Sequence, residues 1–159
     1  MDVSRRSLVP HSRVEPGKRS FQKVPYVELF LGRLQGVVSS GSDATRVYVS
    51  FIKAGSGDFY CSTNNNRPCG GLRGSACKHI DALVTNAVAQ FGPERVARYL
   101  GCSDPTKIRN AHDIHQQIGG TAHKEEASGV FSRFLDYLRY VELDASTEPR
   151  PEMAWFITG

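Results

Sequence analysis

The chain lacks any apolar run approaching the 18 residues of a membrane-spanning helix; its longest apolar stretches are broken by Glu, Arg or Gly within about eight positions. A membrane span is therefore excluded by the sequence. It also lacks internal repeats, low-complexity tracts and the common catalytic fingerprints: no P-loop, G-x-S-x-G, H-E-x-x-H or dinucleotide motif occurs, and the H-x-E with P-C-x-x-C signature of the zinc deaminases is missing. Cysteine is scarce, with four in 159 residues. The N-terminal segment has no apolar stretch of seven or more, which argues against a secretory signal. Without one, the thiols are expected in a reducing compartment, where clustered cysteines more often bind metal than pair as disulfides.

What is present is one domain's worth of chain, with 40% hydrophobic and 23% charged residues, enough to bury a core. The net charge of +4 is mild, but it is unevenly spread. Residues 1–53 hold nine Lys or Arg against four acids, residues 54–110 seven against four, and residues 111–159 four against eight. A basic first two-thirds and an acidic last third suit an anionic partner at one end, or the chain's own other end. Arg5, Arg6, Arg13, Lys18 and Arg19 lie among serines, so residues 1–23 read as a flexible basic tail of a cytoplasmic protein, with a mitochondrial-type transit segment as the alternative.

The first structured half reads as strands. Residues 24–31 are mostly β-branched, aromatic or apolar, Gly32 punctuates, and residues 35–38 continue to a turn cluster at 39–43. Val47, Val49 and Phe51 alternate with Tyr48, Ser50 and Ile52, the period of a strand covered on both faces. Residues 54–58 turn the chain into a short strand at Phe59–Cys61, giving a hairpin.

The second half reads as helices. With Ser75 as N-cap, Ile80, Leu83, Val84, Ala87, Val88 and Phe91 share one helical face up to Gly92. Pro93 opens a short helix ending at Gly101, Asp104-Pro105 opens another running to about Ile118, and a last one spans about 124–143 with Ala127, Phe131, Phe134, Leu135, Leu138 and Val141 inward. Residues 144–159 form an acidic, proline-containing linker ending in an apolar segment around Trp155, expected to fold back on the domain, or else to dock on another chain. The expectation is a single α+β domain over 24–143: a small antiparallel sheet, a clamped loop, and a helical C-terminal half.

Cys61, Cys69, Cys77 and His79 fall within 19 residues, in and beside a Gly- and Asn-rich loop. Three thiolates with one imidazole make a standard closed set for structural zinc, and thiolates at a helix start are favoured by its partial positive charge. Such a site carries about one net negative charge, which Arg67, Arg73 and Lys78 can offset. The loop from Ser62 to Gly74 shows no secondary-structure pattern, which inside a compact domain demands an explanation that an ion supplies. The competing readings are ordinary buried cysteines, or two disulfides recruiting Cys102. A second histidine group, His112, His115 and His123, reads as packed or surface histidines in preference to a metal site.

The strand 48–53, the hairpin, Cys61, the loop and then Ala76-Cys77-Lys78-His79-Ile80-Asp81-Ala82-Leu83 resemble a SWIM-type zinc finger, with its C-x-C, variable loop and C-x-H opening a helix. The C-x-H half matches. In the first half Thr63 occupies the position of the second cysteine, so the pattern becomes C-x7-C-x7-C-x-H. Either Cys69 substitutes from the loop, or a distinct zinc fold has converged on the same helix start. The resemblance spans about residues 46–90, and it implies DNA binding or protein interaction without catalysis.

Three functions are weighed on these residues. A zinc-stabilised module can contact nucleic acid through the basic N-terminal part and a loop offering Asn64, Asn65, Asn66, Arg67, Arg73 and Lys78, with Tyr60 nearby for stacking. A protein-interaction adaptor can use the zinc loop or the Trp155 segment. A metal-dependent enzyme is the least supported, because Cys77 and His79 diverge by about 200° on a helix and make a poor nucleophile–base pair.

Overall fold

Alternating residues in the first half build a four-stranded antiparallel meander: β1 (Tyr26–Phe30), β2 (Arg33–Ser39), β3 (Val47–Lys53) and β4 (Phe59–Thr63), side by side in chain order. The computed structural model describes residues 24–40 and 46–144, with side chains to residue 141. The basic segment 1–23, the turn residues 41–45 and the 145–159 segment containing Trp155 lie outside the described residues.

The β1–β2 turn is a two-residue one with both residues at positive φ, Leu31 at 49° and Gly32 at 73°, whose twist matches that of the flanking strands. The Gly32 N–H donates to the Tyr99 hydroxyl at 3.0 Å, fixing the hairpin to the helical layer.

The helices are α1 (Lys78–Phe91), α2 (Pro93–Leu100), α3 (Ala111–Gln117) and α4 (Ser128–Asp144), with a 3-10 turn at Pro105–Lys107. They cover both faces of the sheet. One core packs Leu34, Val38 and Ile52 against Ile80, Leu83 and Val84 of α1; the other packs Val37, Val49, Phe51 and Tyr60 against Val130 and Phe134 of α4. Strand alternation assigns the faces, since odd and even positions of β2 and β3 point to opposite layers. Gly36 lets α1 approach: a Cβ there would lie 2.2 Å from the Tyr26 carbonyl oxygen and 2.7 Å from Leu83 Cδ1.

Three helix boundaries differ from expectation. The first helix begins at Lys78 with Cys77, not Ser75, in the N-cap position. The helix expected from Pro105 to Ile118 is split, because Asn110 caps α3 by accepting the Asp113 N–H at 3.0 Å while Ile108 stays extended and buried. Finally, α4 starts at Ser128 because the preceding residues serve the sheet: Phe59 N–H donates to Thr121 O and His123 N–H to Phe59 O, covering the edge of β4. On α4, Leu135 is 46% exposed, and Val130 takes an inward position in its place.

An acid inside an apolar strand ties α4 down. Glu28, buried on β1, accepts from Arg133 Nε at 2.6 Å and Nη2 at 2.8 Å, and from Gln35 Nε2 at 2.6 Å. The Arg133 guanidinium also lies 3.5 Å over the Phe30 ring. Burial pushes the Glu28 carboxyl up, but the hydrogen bonds from Arg133, Tyr26 and Gln35 outweigh it and hold the group below the ordinary carboxylate value. A depressed folded-state value gives stability that is full above the unfolded carboxylate range, about pH 4.3, and is lost as pH falls through the folded value. Glu28→Gln should therefore lower unfolding stability at pH 7 by about 3 kcal/mol, because it leaves Arg133 without its anion. Urea unfolding of the two proteins at pH 7 checks this, and equal midpoints would exclude the network as an anchor.

Candidate metal centre

The C-x7-C spacing is that of a tight hairpin. Beyond β4 the chain turns at Asn66, at φ 62°, and comes back antiparallel: Thr63 N–H donates to Arg67 O at 2.8 Å and Cys69 N–H to Cys61 O at 3.0 Å, with Ser62 bridged to Pro68. Residues paired directly across such a ladder share a face, so Cys61 and Cys69 present their sulfurs together. Thr63 lies two residues along on the same face, where a C-x-C motif would put its second thiol; here the hairpin supplies that thiol from across the strand. Its hydroxyl accepts the Arg67 N–H at 3.2 Å and so holds the turn. Cys69 therefore takes the place of the missing second cysteine, as the first of the two readings above had it.

After the loop, Cys77 and His79 enter at the start of α1. The four ligand atoms lie within 4.8 Å of one another, with the three cysteines buried and His79 half-buried. His79 Nδ1 is 3.7 Å from Cys61 Sγ, 3.3 Å from Cys69 Sγ and 3.8 Å from Cys77 Sγ. A tetrahedral zinc with Zn–S about 2.3 Å and Zn–N about 2.0 Å has S···N edges of about 3.5 Å, so the donor set fits that ion. This is the compact C-x7-C-x7-C-x-H cluster expected of an atypical SWIM-type site.

The electrostatics of the thiols also suit a cation. Cys77 is pulled down to about 4 by the Cys61 thiol donating to it, with further help from the His79 ring and the N–H groups of Ile80 and His79 at the helix start. Cys61 is pushed well up, because its proton is held in the bond to Cys77 and because it is buried. Burial also raises Cys69, against the Gly71 N–H that donates to its sulfur at 3.4 Å. Three thiolates cannot share this buried volume unaided, and a divalent ion removes the conflict while displacing two protons.

Two supporting residues carry no signal in the metal motif. Ser50, fully buried and paired with Cys61 in the β3–β4 register, donates its hydroxyl to Cys61 Sγ at 3.3 Å. Tyr48, two residues earlier on the same face, stacks on the His79 ring at 3.9 Å between centroids and 17° between planes. The β3 alternation was the available clue, because it puts Tyr48, Ser50 and Ile52 on one face. A third device is Gly71, where a Cβ would lie 3.0 Å from Cys77 Cβ.

The remaining site residues separate. Asn64, Asn65, Asn66, Arg67, Arg73 and Lys78 are all exposed, but Asn66 Oδ1 is taken by the Ala127 N–H at 2.8 Å. Tyr60 is 6% exposed and packs beside Phe51 on the α4 side, so it does not serve for stacking. Cys102 is a free, half-buried thiol that packs against the α1-side core, and it is not in the ligand group. His112 contacts Gln116, His115 lies beside Asp81, and His123 lies 3.8 Å from Asp58. Among the described residues, no helix is long and apolar enough to cross a membrane. Comparison with protein-family models, curated proteins and solved structures finds no match to the chain.

Protein purified without added metal should contain one zinc per chain with three thiols protected until chelation, and Cys77→Ser or His79→Ala should be insoluble or readily proteolysed. Soluble variants with an unchanged melting temperature would remove the structural-zinc assignment. Tyr48→Ala and Ser50→Ala should each weaken zinc binding about tenfold, measured by competition with a chromophoric chelator.

Proposed function

We propose that the chain is a zinc-clamped binding module that contacts nucleic acid through the surface around the clamp. The supporting observation is how its cations are used. Arg33 and Lys53 converge on Glu125, Arg98 pairs with Glu94, Lys107 with Asp104 and Arg133 with Glu28. Arg46, Arg95, Arg109, Lys124 and Arg139 are exposed without an ion pair among the described residues, and so are Arg67, Arg73 and Lys78, which are gathered within the segment 61–79 that carries the metal site. Cations on a rigid loop, interleaved with the exposed amides of Asn64 and Asn65, are the groups that neutralise phosphates and meet base edges.

Zinc supplies the rigidity in this reading. The clamp holds the loop, so each cation keeps a fixed position relative to the next, and ordering on binding costs less. The half-exposed Tyr48–His79 stack lies within the same surface and offers an aromatic edge in place of Tyr60.

Binding of a labelled single-stranded oligonucleotide should weaken with salt, with a log–log slope of about −2 for three phosphate contacts. Changing Arg67, Arg73 and Lys78 to Ala together should remove most of that slope while leaving the metal content intact. A salt-insensitive interaction with a protein partner, and none with nucleic acid, would favour the adaptor reading instead.

A further inference from the structure

We infer that the groove along the outer flank of α1 is the seat of the chain's own segment 18–23, anchored by the Phe21 ring. The groove has a volume of about 510 Å³ and is lined by Val24, Ala82, Thr85 and Ala89, with Lys78 and Asp81 as its charged groups. Thr85 and Ala89 are exposed and Ala82 is half-buried, whereas the inner flank of the same helix, with Ile80, Leu83, Val84 and Ala87, is packed in the core.

Continuity of the chain selects the occupant. Val24 belongs to the α1-side core and also lines the groove, so the residues that precede it set out from the groove itself. Pro25 follows, and a residue before proline is kept out of the helical region, in β or polyproline II conformation. In polyproline II three residues make one turn and about 9 Å, which returns Phe21 to the side of Val24. The groove is long enough, since Lys78 to Ala89 cover about 16 Å of helix. Phe21 is the one aromatic residue among residues 1–23 and the side chain there with most to gain from leaving water. The lining has one charge of each sign, so charge does not choose among chain segments. The rival is the apolar stretch around Trp155. It follows α4, which packs on the opposite face of the sheet, and has to pass around a sheet edge to reach α1.

Docking positions charge as well as a ring. Lys18, Arg19 and Lys23 flank Phe21 in the chain, so the seat holds them along the helix whose first residue is Lys78. Phosphate contacts from the basic segment and from the clamp then belong to one surface. That consequence rests on the nucleic-acid reading above; the seat itself does not.

Limited trypsin digestion of the zinc-loaded full-length protein, read by mass spectrometry, tests the seat without nucleic acid. The protease draws an extended stretch into its cleft, so cleavage after Arg19 requires Phe21 to leave the groove, while Arg6 and Arg13 are controls in the same chain. With each rate normalised to the same bond in a synthetic peptide of residues 1–24, cleavage after Arg19 should be about tenfold slower than after Arg13, because a docked phenylalanine keeps the open form to about a tenth or less. Phe21→Ser should abolish the delay. So should Thr85→Gln combined with Ala89→Gln, which fills the groove with longer polar side chains at two exposed positions; native thiol protection certifies that each variant keeps its fold and metal. Equal rates after Arg13 and Arg19 in the unaltered protein, or a delay that survives in the groove variant, overturn the seat. A delay that fades on dilution gives the groove to a second copy's segment and also overturns it. So does a red-shifted emission of Trp155, the chain's one tryptophan, in the groove variant with the Arg19 delay unchanged, which gives the groove to the 145–159 segment. Loss of the delay in both variants with oligonucleotide binding unaffected upholds the seat and removes only its link to nucleic acid.

Discussion

The structure depends on three thiols and an imidazole brought within 4.8 Å of one another in a buried volume. Without a cation this arrangement opposes itself, since one thiolate at the start of α1 forces its neighbours to keep their protons. With a divalent ion, the same crowding becomes four bonds. Cys61, Cys69 and Cys77 belong to the same apolar cluster as Leu34, Ile52, Ile80 and Leu83, so the metal centre is continuous with the core under α1. Binding free energy at such a site is folding free energy, on the order of 10 kcal/mol by analogy with zinc-finger peptides. That rivals the whole net stability of a small domain.

Placement of the four donors follows from two ordinary devices that happen to converge. A β-hairpin puts Cys61 and Cys69 on one face through direct cross-strand pairing, and a helix start adds Cys77 and His79 two residues apart. They meet only if α1 lies close to the sheet, which Gly36 permits by leaving room for Leu83. The face of β3 toward α1 then serves the site along its length, with Tyr48 on the imidazole, Ser50 on a sulfur and Ile52 in the apolar cluster that the cysteines share.

Much of this was legible in the sequence. Period-two alternation at 47–52, the apolar stripe from Ile80 to Ala87 and the spacing of the ligands are local patterns, and the elements and the metal cluster follow from them. What was hidden depends on contacts between distant residues. Glu28 sits in an apolar stretch that gives no hint of an arginine 105 positions away, and the pairing of residues 121–123 with β4 decides where α4 begins. Ser75 is a better N-cap by residue type than Cys77, but the metal set needs Cys77 at the helix boundary, and tertiary demand outweighed propensity. Tyr60 looked like a stacking group because exposure cannot be read from residue type, and it faces α4; Asn66 is exposed, but its Oδ1 tethers the start of α4, a contact that no local pattern shows.

The chemistry of the donor set directs attention away from the metal and toward the surface around it. Four protein ligands close a tetrahedron, whereas a catalytic zinc keeps one position for water or substrate. An ion held in this way acts through what it positions, and the pieces it positions are a hairpin tip, the Gly74–Ala76 stretch and the first turn of α1. These carry Arg67, Arg73 and Lys78 outward and Asp81 toward His115. On the sheet Arg33 and Lys53 are committed to Glu125, and on α4 Arg133 is committed to Glu28, where they hold the layers together. The cations that join the layers thus lie on the sheet and α4, while the three in the clamp segment stay outside these ion pairs.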